Sequence, residues 1–96
     1  MFIVLLNYLK PLTEVDRFVG EHRQFLEKYY ASEDFLMSGR REPRTGGVII
    51  STAKTREEIE SIILNDPFHR ENIAEYEIIE FVPSMTAPQL AALRLP

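Results

Sequence analysis

The chain has 96 residues, which suits one domain with a modest core. Its net charge is −4, which opposes nucleic-acid binding, and it has no cysteine, which excludes disulfides, thiolate nucleophiles and thiolate metal ligands. No apolar run approaches the roughly 20 residues of a membrane span, and Asn7, Tyr8 and Lys10 interrupt an apolar start that lacks the basic flank of a signal peptide; a cytoplasmic protein with no membrane partner is expected.

Residues 2–9 (FIVLLNYL) are β-branched and aromatic, and Pro11 follows, so they read as a strand. Thr13 is a natural N-cap, with Glu14 and Asp16 in the following turn. Val15, Phe18, Val19, His22, Leu26 and Tyr29 then recur at spacings of three and four, the stripe of an amphipathic helix. Gly20 weakens that helix by up to about 1 kcal/mol relative to Ala. Residues 34–39 read as a second strand, and 40–47, with Pro43, Gly46 and Gly47, as a hairpin loop. A third strand follows at 48–53. Thr55 with Glu58 forms a capping box for a second helix, whose apolar face is Ile59, Ile62 and Ile63. Asn65-Asp66-Pro67 stops that helix. A fourth strand covers 74–82, and the tail 84–96 holds one or two helical turns. The expectation is one α+β domain over 1–96. Its β-α-β-β-α-β order fits a ferredoxin-like fold with an antiparallel four-stranded sheet.

Two helices cover one face of such a sheet. The other face should be polar if it meets water. In strand one, Phe2, Val4, Leu6 and Tyr8 oppose Ile3, Leu5 and Leu9; in strand four, Ile78 and Val82 oppose Ile79 and Phe81. Both faces look buried, which points to a homodimer joined through the sheets, or to a tail folded over the second face.

His22 falls on the apolar stripe of the first helix. It is either a core residue with a satisfied ring or a general acid/base. Topology places the Asp66 turn, the 40–47 hairpin and the start of the first helix at one end of the domain. His22 lies about 13 Å along its helix, so spacing leaves its contact with Asp66 open. Arg40, Arg41 and Arg44 share that end, as an anion clamp or as solvated partners of Glu42 and more distant acids. Ser38 and Gly39 either end a strand or line a ligand site, and Tyr8 is either core or cleft lining. No short cluster of metal ligands is evident: His22 and His69 lie far apart, and His69 is expected to be exposed. Gly46-Gly47 lacks the strand-to-helix context of a phosphate loop.

A histidine on the first helix with Phe25 and Leu26, the strand FLMSG at 35–39, Gly46-Gly47, and the turn Asn65-Asp66-Pro67-Phe68 together resemble the YciI-like (YCII-related) family, over about residues 2–83. The resemblance implies a dimeric α-β barrel with a His-Asp pair in a cleft, and His22 and Asp66 match those positions. It adds Ser38, Gly39 and Phe68 as ligand contacts, beside Arg40 from the anion-clamp reading. One departure is that the family usually has proline after Ser-Gly, where this chain has Arg40-Arg41. At least one relative is a dehydrochlorinase acting on a chlorinated hydroquinone. Most members have no assigned reaction; with His22 exchanging a proton, Asp66 orienting it and no nucleophile nearby apart from Ser38, the expectation is an enzyme of lyase or isomerase type with no cofactor. A haem held through His22, as in other dimeric α-β barrels, ranks below that. The alternatives are a non-catalytic small-molecule binding module and a purely structural dimer.

Overall fold

The structure, a computed structural model, describes residues 1–95. Strand β1 (Phe2–Tyr8) leads into helix α1 (Leu12–Ala31), then β2 (Phe35–Arg40) and β3 (Gly46–Ser51). Helix α2 (Arg56–Ile63) and a one-turn helix α3 (Pro67–Arg70) precede β4 (Ala74–Glu80); a short 3-10 segment, Pro88–Leu93, lies in the tail. The strands form one sheet in the order β2-β3-β1-β4, with every neighbouring pair antiparallel. This is the ferredoxin-like arrangement expected from the element order.

The period-two alternation of β1 decides what is core. Phe2, Val4 and Leu6 are buried on the helix side, while Ile3 and Leu5 are only partly covered on the other. Registry carries this across the sheet, since Val4 pairs with Ile49 and Ile78, and Ile3 with Ile50 and Ile79. Val15, Phe25 and Tyr29 of α1, Ile59, Ile62 and Ile63 of α2, and Phe68 of α3 close the core. Phe18, Val19, His22 and Leu26, expected on the buried stripe, are half-buried instead. Val19, His22 and Leu26 flank a cleft between α1 and the sheet.

Several boundaries differ from expectation, each for a local reason. Pro11, not Thr13, is the N-cap of α1: its extended backbone presents a carbonyl that accepts from Glu14 and Val15 N–H at 2.9 and 3.1 Å. Thr55 does cap α2, accepting from Glu58 N–H at 3.1 Å, but the returning Glu58 carboxylate accepts from Lys54 N–H at 3.0 Å rather than from Thr55. Gly46 and Gly47 belong to β3 rather than to the hairpin loop, opposite Asn7 and Leu6. Strand β3 ends early because the buried Ser51 side chain turns the chain, donating to Asp34 O and accepting from Ala53 N–H. Strand β4 ends at Glu80, leaving Phe81 and Val82 beyond it.

The turn after α2 does more than stop a helix. Asp66 caps α3, and Pro67 occupies its first helical position, where the missing N–H loses nothing. Asn72 then adopts a left-handed backbone (φ 54), a conformation asparagine tolerates, and returns the chain to β4.

Two glycines give opposite predictions. A Cβ on Gly46 would lie 1.7 Å from the Leu6 carbonyl oxygen, whereas one on Gly20 meets nothing within 4 Å. Gly46→Ala should lose about 3 kcal/mol or more of stability in urea denaturation, and Gly20→Ala should gain about 0.5–1 kcal/mol.

Candidate functional site

The site is assembled around a carboxylate with no exposure to solvent. Asp66 is 0% exposed, and a charge removed from water needs a full set of donors. Phe68 N–H donates to Oδ1 at 3.0 Å as the helix cap. His22 Nδ1 lies 2.8 Å from the same oxygen, and Tyr76 O–H donates to Oδ2 at 2.6 Å. Because a carboxylate only accepts, Nδ1 carries the imidazole hydrogen in the neutral ring. The contact that spacing left open therefore exists: α3 packs on α1 and brings Asp66 to the helix interior.

The imidazole is fixed from a second direction. The Phe68 ring lies parallel to it, 2° between planes and 4.1 Å between centroids, and Phe25 sits at 5.9 Å. The side chain retains 16% exposure. Among the described residues no buried side-chain nitrogen or oxygen lacks a partner, and Nε2 makes no protein hydrogen bond there. Nε2 thus reaches open space, in the cleft.

That cleft holds about 290 Å³. Leu6, Tyr8 and Ile49 form its floor, Val19, His22 and Leu26 one wall, and Ser38, Gly39, Arg40, Arg44 and Phe68 complete it. All the residues implied as ligand contacts thus line one space with His22. Ser38 Oγ hydrogen-bonds the Tyr30 hydroxyl at 2.5 Å, not the imidazole, so no Ser-His pair is formed. Of the three hairpin-end arginines, Arg40 and Arg44 face the cleft, while Arg41 turns to the other side of the sheet and donates to Asn7 Oδ1. Arg40 pairs with Glu42 at 2.7 Å, both at 73% exposure, and Arg44 pairs with Asp16. The hydrogen bond to Asp16 raises the Arg44 pKa, so its cationic form is favoured.

Sequence reasoning missed two residues. Arg23, beside His22 on α1, lines the cleft as a third cation. Tyr76 completes the Asp66 shell; its inward position on β4, alternating with Ala74 and Ile78, was the available signal. Among the described residues no group of three or more His, Asp or Glu side chains could hold a metal ion, and no helix is long and apolar enough to cross a membrane. His69 is exposed, as expected.

Burial, then the neighbouring Asp66 charge, pushes the Tyr76 phenol well above the ordinary tyrosine range. Its folded-state pKa exceeds the unfolded value, so its contribution is complete below about pH 10 and is lost as pH rises beyond that. The urea midpoint should fall above about pH 10, and less steeply in Tyr76→Phe.

Comparison with known proteins places the chain. No curated protein matches it. Among solved structures it is similar to 5-chloro-2-hydroxyhydroquinone dehydrochlorinase (TftG) from Burkholderia phenoliruptrix AC1100, in complex with 2,5-dihydroxybenzoquinone. The TM-score is 0.66 at 19% identity, covering 84% of this chain and 93% of that one, a likeness of fold. The model of the YCII-related domain matches residues 1–82, and the chain belongs to that family.

Proposed function

We propose that this chain is a cytoplasmic homodimeric enzyme of lyase or isomerase type that moves a proton on a small anionic ring compound. The observation that carries this is the His22–Asp66 contact at 2.8 Å, with the opposite ring nitrogen open to the cleft. Nε2 takes a proton from an acidic C–H or O–H of the ligand, and the freed electron pair moves into the ring. Asp66 stabilises the imidazolium that results. In an isomerase the proton returns at another carbon; in a lyase the electron pair expels a leaving anion such as chloride, and the imidazolium gives its proton to solvent.

The cleft's chemistry supports the ligand class. Tyr8 and Phe68 offer flat apolar contact, and Arg23, Arg40 and Arg44 offer positive charge to a phenolate or carboxylate. The similarity to a dehydrochlorinase crystallised with a dihydroxybenzoquinone supports quinols and quinones as first candidates. The absence of cysteine suits the cytoplasm.

The dimer is supported by the sheet face turned away from the helices. Met37 (53% exposed) and Ile79 (40%) flank the partly covered Ile3, Leu5, Val48 and Ile50. The tail is no cover for it, since Met85, Leu90 and Leu95 are themselves exposed. A second sheet packed on this face would bury it.

Two experiments test the reading. Wild-type protein should convert a member of a panel of chlorinated and hydroxylated quinols, and His22→Ala, still folded, should lose about 10²–10⁴-fold in rate. Equal turnover in the two proteins would refute the catalytic role of His22; a ligand-induced rise in Tm without conversion would make the chain a binding module. Light scattering should report a dimer for wild type and a monomer for Ile50→Glu, which puts a charge in the middle of the apolar face.

A further inference from the structure

We propose that Tyr76 is a positioning residue for His22, acting through Asp66: its hydroxyl anchors the far oxygen of the carboxylate and sets how much negative charge that carboxylate offers the imidazole. The inference rests on the His22–Asp66 reading above and deepens it.

Tyr76 does not line the ligand cleft. It faces a separate groove of about 410 Å³ behind Asp66, with Leu9, Ile63, His69 and Ile78. Asp66 lines neither space but bonds to one residue of each, His22 of the cleft and Tyr76 of the groove. Its oxygens are unequally served. Oδ1 accepts from both His22 and Phe68 N–H, and Oδ2 accepts from Tyr76 alone among the described residues. Tyr76 thus holds the one oxygen that the helix cap does not, and fixes the rotation of the carboxylate about its bond to Cβ. A donor on Oδ2 also draws charge away from Oδ1, which weakens the hold on an imidazolium.

The other charged and titratable groups facing His22 are Arg23 on α1, Arg40 on β2, Arg44 in the hairpin and Tyr8 on β1. Those around Tyr76 are Asp66, which it bonds, and His69, Glu60 and Glu75, which share its groove. Removing the Tyr76 hydroxyl alters none of these except Asp66. The imidazolium should then be held more tightly, so its titration midpoint should rise. A stronger phenol donor should lower it.

The test is NMR titration of the histidine ring protons in the full chain, with His69→Gln assigning the two histidines. Tyr76→Phe should raise the His22 midpoint by about one pH unit, and a fluorinated tyrosine placed at position 76, a stronger donor of nearly the same shape, should lower it. No movement in folded Tyr76→Phe, or none in the fluorinated protein, overturns the proposal. Should Tyr76→Phe not fold, the fluorinated protein alone decides. Asp66→Asn separates the two layers. If it lowers the midpoint while the Tyr76 changes do nothing, the His22–Asp66 pair stands and Tyr76 is only structural. If Asp66→Asn also has no effect, the acid/base reading fails and the role of Tyr76 fails with it.

Discussion

A carboxylate sealed from water must be given donors by the protein around it, and in this chain that requirement organises one end of the fold. Asp66 receives a backbone N–H from its own short helix, a ring nitrogen from α1 and a phenol from β4. Helix α1 is thereby tied to the α3 turn and to β4, which lie more than forty residues further along the chain, through two oxygen atoms. An unpaired buried carboxylate would cost several kcal/mol, so the three must close together or not at all. The geometry of His22 is a by-product of satisfying Asp66.

The same arrangement separates structure from chemistry on a single side chain. One face and one nitrogen of the imidazole are committed, to Phe68 and to Asp66. The other nitrogen is left for whatever occupies the cleft. Such a ring has a fixed tautomer and orientation before any ligand arrives, and a proton acceptor placed this way needs no rearrangement at the moment of transfer. The cleft borders supply the rest: flat apolar contact below, arginines at the rim. The rim arginines differ in freedom. Arg44 is held by Asp16 across the gap between α1 and the hairpin, while the exposed Arg40–Glu42 pair is weak enough for a ligand anion to compete with.

Much of this was visible in the sequence. The strand and helix periods, the Thr55 cap and the Asp-Pro turn lead to the ferredoxin-like order because each is a local signal with a local cause. His22 stood out as a polar residue on an apolar stripe, and Asp66 as an acid at the matching end of the domain. What was hidden depends on tertiary closure. The contact of His22 with Asp66 needs a one-turn helix too short to show a period. Gly46 and Gly47 read as loop because glycine marks turns more often than close strand approach, yet here it is the Leu6 carbonyl that excludes a side chain. Arg40 and Arg41 read as one cluster because the strand was ended at Gly39; extended by one residue, the period-two alternation sends them to opposite faces. Tyr76 carried no such mark, since nothing in spacing says which buried acceptor its hydroxyl will reach.

The central claim is that His22 is held as the Nδ1–H form, with Nε2 bare toward the cleft. Long-range proton–nitrogen correlation of the ring, recorded above the histidine titration, reads the tautomer directly. A protonated Nδ1 and an unprotonated Nε2 on His22 are what the Asp66 contact requires. A ring protonated at Nε2, or one averaging between both forms as an exposed histidine does, would contradict the account.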